Sequence, residues 1–202
     1  MDEMKRIFLA ALAALFLALP VSSGSAQGAQ QKEKKPRVLL QTSMGDIVLE
    51  LEPARTPVTV ENFLAYVRSG HYDRTIFHRV ISGFVIQGGN FTPDFGRKDT
   101  RGTIRNEADR GLPNERGTIA MARTPDPHSA SDQFFINIRF NGMLNHRSRS
   151  ERGWGYTAFG RVVEGMNIAS RISRVATGAL GPFPSDMPLD MVILKKARIL
   201  SE

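Results

Sequence analysis

Cysteine is missing from all 202 residues. That absence excludes disulfides, thiolate metal sites, cysteine nucleophiles and a lipid-modified cysteine terminus. Histidine is scarce. The four present, His71, His78, His128 and His146, form no i, i+4 pair, so no metal site is expected. There is no phosphate-cradling Gly-rich loop ending in Lys-Ser/Thr and no G-x-S-x-G nucleophile elbow. Gly153-Trp154-Gly155 lacks the spacing of a dinucleotide fingerprint, and no cofactor of any kind is expected. Acidic residues are the minority, 20 against 27 Lys+Arg for a net +7, yet no aromatic stripe accompanies the bases. Nucleic acid is therefore not an expected partner.

Long apolar runs are also lacking. The uncharged stretch Ile7 to Leu19 holds 13 residues, about 20 Å as a helix, whereas a membrane span needs roughly 20 residues. Lys5 and Arg6 precede it, and Pro20 and Val21-Ser22-Ser23-Gly24-Ser25-Ala26 follow it. A charged n-region, an apolar h-region and small residues at the end make a signal peptide, with cleavage expected after Ala26 and no stable membrane anchor left behind. Gln27 to Pro36, rich in Gln and Lys, reads as a disordered tether, and residues 37–202 as one domain. At 41% hydrophobic and 23% charged, the chain has an ordinary globular composition and enough length to close a core unaided.

What is present is mostly short strands. Arg37 to Ser43 and Asp46 to Glu52 alternate on either side of Met44-Gly45-Asp46, which predicts a hairpin. Pro57 to Val67 predicts a helix with Thr56 as N-cap, Pro57 at the first position, a buried stripe Val60, Phe63, Leu64, Val67, and Gly70 at the end. Further apolar segments run from Ile76 to Val80, Phe84 to Gln87, Thr118 to Ala122, Phe134 to Ile138 and Ala158 to Val162. Val163 to Arg174 predicts a second helix, and Met191 to Leu194, continuing to Ile199-Leu200, a last strand. Many short strands, two helices and no βαβ alternation point to a mainly β protein, a closed antiparallel β-barrel.

The stretch Phe77-His78-Arg79-Val80-Ile81-Ser82-Gly83-Phe84-Val85-Ile86-Gln87-Gly88-Gly89-Asn90 stands out. On periodicity alone it is two strands and a turn, with Arg79 either merely solvated or functional. Gln133-Phe134-Phe135-Ile136-Asn137 is a second apolar run with embedded amides. Together with Gly117-Thr118-Ile119-Ala120-Met121-Ala122-Arg123-Thr124 and Phe159-Gly160-Arg161-Val162-Val163-Glu164-Gly165-Met166, in this order, these segments resemble the cyclophilin family of peptidyl-prolyl cis–trans isomerases. The resemblance runs from about Val38 to Leu200.

The resemblance implies an eight-stranded closed barrel with a helix over each end and, on its outside, a groove for proline-containing polypeptides. It implies that Arg79 is the catalytic arginine. Phe84, Val85, Met121, Phe135 and Leu144 match the apolar wall around the proline ring, and Gln87 and Gln133, with the backbone of Ala122 and Arg123, match the groups that hold the peptide. Tyr156 stands where eukaryotic members carry histidine, and Met143 where they carry tryptophan, so weak cyclosporin binding is expected. The wording Met121-Ala122-Arg123-Thr124 and the export signal resemble the bacterial periplasmic branch, which implies periplasmic localisation and exported, unfolded clients. A monomer is expected. A proline-peptide-binding chaperone or scaffold with little turnover is the alternative use of the same groove.

Overall fold

The computed structural model describes residues 35–202. The expected signal peptide and most of the expected tether lie outside the described residues. Lys35 and Pro36 are already engaged with the domain. Lys35 Nζ donates to Glu52 Oε1 at 2.5 Å, and Leu51 N donates to the Pro36 carbonyl at 2.9 Å.

The expected hairpin forms from β1 (Arg37–Thr42) and β2 (Gly45–Leu51). Thr42 Oγ1 closes it, donating to Gly45 O at 2.6 Å and accepting from Met44 N at 3.1 Å. Alternation puts Val38, Leu40, Ile47, Leu49 and Leu51 into one interior cluster. Around this hairpin the sheet is built from β3 (Thr75–Ile76), β4 (Arg79–Ile81), β5 (Val85–Gly88), β6 (Thr118–Met121), β7 (Phe134–Asn137), β8 (Ala158–Glu164) and β11 (Ile193–Ser201). The order is β3-β11-β1-β2-β8-β6-β7-β5-β4, with every pair antiparallel.

This corrects the closed eight-stranded barrel. The sheet is a curled ladder of nine strands whose two edges, β3 and β4, are not hydrogen-bonded to each other. They are instead successive in the chain, separated by Phe77 and His78. Both of those side chains are buried, at 1% and 5% exposure. Successive residues of a regular strand point to opposite faces, so a pair buried side by side interrupts the strand. The Phe77 N–H still follows the register of β3 on β11, donating to Val192 O at 2.9 Å, and the chain breaks from that pairing before β4 begins.

Helix α1 (Pro57–Arg68) buries the expected stripe and adds Thr59 and Tyr66. Phe63 projects from it into an aromatic cluster, with ring centroids 5.1 Å from Tyr72, 5.8 Å from Phe134 and 5.1 Å from Phe159. Thr56 is the N-cap by position but its hydroxyl turns back to Glu52 O at 3.1 Å. The first-turn donors go to Glu107, whose Oε2 accepts from Thr59 N and Thr59 Oγ1, each at 2.9 Å. A buried carboxylate at this end also complements the helix dipole.

The second helix, α2 (Met166–Ile172), is shorter than Val163 to Arg174. Val163 and Glu164 finish β8, and Gly165 divides strand from helix at φ +83°, where a Cβ would stand 2.2 Å from Asp46 O. Alternation also missed a separate hairpin, β9 (Thr177–Leu180) with β10 (Phe183–Pro188), because its Gly- and Pro-rich wording carries no apolar period.

Replacing Glu107 by alanine leaves Thr59 N–H, Thr59 hydroxyl and the Arg110 guanidinium, 2.5 Å from Oε1, without their acceptor. Urea denaturation of Glu107→Ala is expected to show a loss of about 2–4 kcal/mol. Glu107→Gln, which keeps an acceptor, is expected to lose less.

Candidate active site

Strand pairing assembles the site across the outer face of the sheet. Arg79 on β4 stands opposite Gln87 on β5, Gln87 opposite Phe135 on β7, Phe135 opposite Ala120 on β6, and Ala120 opposite Ala158 on β8. One row of directly paired residues therefore runs from a guanidinium, through an amide, onto an aromatic ring and two methyl groups. Val85, Leu112, Ala120, Phe135 and Ala158 form a second apolar cluster beneath it, separate from the interior one. Phe84, Ala122, Leu144 and Tyr156 pack on this cluster from above and stay partly open.

Between them lies a hollow of about 200 Å³ lined by Arg79, Phe84, Val85, Gln87, Ala122, Arg123, Phe135, Leu144 and Tyr156. Tyr156 meets Phe135 edge to face at 5.6 Å. The Arg123 guanidinium covers the Tyr156 ring at 4.7 Å and its Nε donates to Gly155 O at 2.9 Å, which pins the loop behind the ring. Gly155 has φ +73°, and a Cβ there would lie 2.6 Å from His146 N, so the loop returns against Leu144 only through a glycine.

Arg79 Nη1 points to Gln87 Oε1 at 3.5 Å, and Gln87 Nε2 donates to Gln133 Oε1 at 2.9 Å. On its other side Arg79 Nε lies 3.9 Å from Asp186 of β10. Gln133 lines an adjoining hollow of about 220 Å³ that shares Gln87, Ala122 and Arg123 with the first. Ala122 N donates to Gln133 O at 2.9 Å, so this backbone N–H is already used.

Met121 is the exception among the expected residues. It is 2% exposed and belongs to the interior cluster. Ala120 and Met121 are neighbours on β6, and because Ala120 faces the outer cluster, Met121 must face inward. The expectation of Met121 in the groove wall is corrected on that ground.

Sequence reasoning gave no role to Asp132 or Asp186. Asp132 is buried beside the second hollow and accepts from His71 Nε2 at 2.9 Å, from Asn90 Nδ2 and from Ser131 Oγ at 3.1 Å. Burial alone would raise its carboxyl, but the bonds from His71 and Asn90 outweigh that and hold it below the usual value. Asp132 is 61 residues from His71, and Asp186 lies on the unforeseen hairpin, so neither left a local signal. Trp154 does not reach the groove; its Nε1 donates to His128 Nε2 at 3.1 Å in a different hollow.

Residues 37–199 match the model of the family described as cyclophilin type peptidyl-prolyl cis-trans isomerase/CLD. The chain belongs to the cyclophilin-type peptidyl-prolyl cis–trans isomerases. It is 58% identical over 163 residues to peptidyl-prolyl cis-trans isomerase cyp18 of Streptomyces antibioticus, covering 81% of this chain and 98% of that one. It is 49% identical over 162 residues to isomerase B of Escherichia coli (strain K12), covering 80% and 98%. A crystal structure of a Cryptosporidium parvum cyclophilin superposes with TM-score 0.69 at 29% identity over 83% of this chain and 99% of that chain. A second structure of the C. parvum cyclophilin, in the presence of the dipeptide Ala-Pro, gives TM-score 0.68 at 30% identity over 82% and 99%. Cyclophilins are isomerases that bind proline-containing peptides.

His78 lies directly before Arg79, stacked on Phe183 at 5.5 Å and edge-on to Phe91 at 4.8 Å, with Nδ1 buried and unpartnered. Burial, and next the Arg79 charge, push its imidazole down from 6.5 to about 4. The unfolded chain therefore takes up a proton between pH 6.5 and 4 that the folded chain refuses, so stability falls as pH falls through that window. The cost by pH 4.5 is on the order of 2 kcal/mol. In His78→Phe, which keeps an aromatic ring, urea midpoints are expected to fall less between pH 7 and 4.5; an equal fall would assign the acid sensitivity elsewhere.

Proposed function

We propose that this cyclophilin accelerates X-Pro rotation in exported, unfolded or partly folded chains, and that Arg79 supplies the decisive hydrogen bond. The observation that carries this is the placement of Arg79 and Gln87 at one side of a hollow whose remaining wall is Phe84, Phe135, Leu144 and Tyr156.

The X-Pro bond resists rotation by about 18–20 kcal/mol because the nitrogen lone pair is delocalised into the carbonyl. Uncatalysed exchange takes tens to hundreds of seconds. No bond is broken, so the reaction asks for no nucleophile and no general base. At the twisted state the nitrogen becomes pyramidal and accepts a hydrogen bond that the planar amide cannot accept. An arginine is a permanently charged donor of that bond.

Such a charge-assisted bond contributes about 1.5–3 kcal/mol, whereas a millionfold acceleration needs about 8 kcal/mol. The remainder falls to the apolar wall and to Gln87. Gripping the proline ring while the rest of the peptide is held lets the preceding carbonyl rotate, and an apolar slot disfavours the charge-separated planar amide. Both effects favour the twisted state over the ground state.

Residues 1–26 are proposed to direct export to the periplasm, with mature protein starting at Gln27. Met143, 63% exposed, gives the groove no indole donor, which supports weak cyclosporin binding. The chain is proposed to act as a monomer.

Exchange NMR on a short Ala-Pro peptide tests the arginine. Arg79→Ala is expected to lower kcat/KM by about 10- to 200-fold while peptide binding persists. Arg79→Lys is expected to recover only part, since it lacks the planar fork. Binding by wild type without faster exchange would make the groove a holding site and the protein a chaperone or scaffold. Export is tested by intact mass of the protein recovered from the periplasmic fraction. A mass beginning at Gln27 is expected, and full-length protein confined to the cytoplasm would contradict it.

A further inference from the structure

Three buried asparagines lie behind the groove, and none of them lines it. Asn114, Asn137 and Asn141 are 1%, 0% and 1% exposed. Buried carboxamides are kept only where their polar atoms are satisfied, and here they satisfy one another. Asn141 Nδ2 donates to Asn137 Oδ1 at 2.7 Å, and Asn137 Nδ2 donates to Asn114 Oδ1 at 3.0 Å and to Thr118 Oγ1 at 2.9 Å. Both ends of this chain of amides terminate on backbone carbonyls of groove residues. Asn141 Nδ2 donates to Phe84 O at 3.1 Å, and Asn114 Nδ2 lies 3.2 Å from both Leu144 O and Tyr156 O. Backbone bonds reinforce the link: Asn141 N donates to Asn114 O at 2.8 Å, Leu144 N to Asn141 O at 2.8 Å and Tyr156 N to Leu144 O at 2.9 Å.

We propose that Asn114, Asn137 and Asn141 are positioning residues: a relay that sets the Leu144–Tyr156 wall at a fixed distance from Phe84. The proposal rests on the isomerase reading of the groove. Its physical ground is that the two walls are held differently. Arg79, Gln87 and Phe135 sit on paired strands, whereas Leu144 ends a three-residue 3-10 helix and Tyr156 lies in the loop before β8, outside any ladder. For that wall the relay replaces the sheet. Because the amides are linked in series in a low-dielectric interior, removing the middle one orphans the groups on both sides. A wall displaced by a fraction of an ångström misaligns the proline ring with Arg79, and rates fall steeply with such misplacement.

The test is a double-mutant cycle on Asn137→Ala and Leu144→Ala, read in kcat/KM by exchange NMR and, in parallel, in Kd for the same Ala-Pro peptide. Asn137→Ala is expected to lower kcat/KM by roughly tenfold alone and by less than about threefold when Leu144 is already truncated, because the relay then has less wall to position. Amide shifts of Leu144, Asn145 and Tyr156 are expected to move together while those of Val80 and Ile86 stay. Ile47→Val, an interior change away from the groove, is expected to lower stability without changing activity per folded molecule. Equal losses from Asn137→Ala in both backgrounds, or wild-type activity in the folded variant, overturn the relay. If Asn137→Ala does not fold, Asn141→Ser, which loses the bonds to Phe84 O and Asn137 Oδ1 but keeps the Asn137–Asn114 end, carries the same cycle. Absence of catalysed exchange in wild type overturns the isomerase reading instead, and the cycle in Kd then still decides the relay.

Discussion

The side of the groove that carries Arg79, Gln87 and Phe135 depends on the register of four short strands. Val80, Ile86, Ile119, Met121, Phe134 and Ile136 face the interior cluster, and their immediate neighbours Arg79, Val85, Gln87, Ala120 and Phe135 face out. A slip of one residue in any of these pairs would carry the guanidinium or the amide into the core and an aliphatic side chain into water. Burial of the interior set therefore fixes the row Arg79, Gln87, Phe135, Ala120 on the outside. This wall of the site has no separate scaffold. It is the reverse face of the hydrophobic core.

The opposite wall obeys a different constraint. Leu144 and Tyr156 belong to irregular chain, and irregular chain must find partners for its backbone groups outside a ladder. Arg123 serves the outer side of that loop, donating to Gly155 O at 2.9 Å and to Glu151 O at 3.3 Å, while its bonds to Thr124 O and Pro125 O fix the guanidinium itself. The asparagine chain serves the inner side. The groove thus has one wall, bearing Arg79, on paired strands and the other on side-chain hydrogen bonds.

The readable part of this architecture is the part written in local periods. The hairpin at Ser43-Met44, the stripe Val60, Phe63, Leu64, Val67 and the run Phe134 to Asn137 each carry their period within a few residues, and each forms. Alternation failed where two neighbours are both buried, as at Phe77-His78, and where Gly and Pro erase the period, as in β9 and β10. It also failed at the end of β8, where Val163 and Glu164 looked helical until Gly165 turned the chain. Met121 was misplaced because a motif names residues without naming the face, whereas Ala120 beside it settles the face by parity. The partners of Glu107, Asp132 and Asn114 lie 48, 61 and 30 residues away in the pairs Thr59, His71 and Leu144, so no window along the chain contains them. A catalytic role for Arg79 is implied only by resemblance, since a strand arginine by itself is as readily a solvated one.

The most direct measurement is where a proline ring sits. Intermolecular NOEs between an isotope-labelled protein and an unlabelled Ala-Pro peptide locate it without relying on turnover. Contacts are expected from the ring protons to Phe84, Phe135 and Leu144, with the prolyl nitrogen turned toward the Arg79 guanidinium. Contacts instead in the hollow of His128 and Trp154, or a ring seated only beside Asp132 and Ser131, would contradict it, because Arg79 would then have no twisted amide to stabilise.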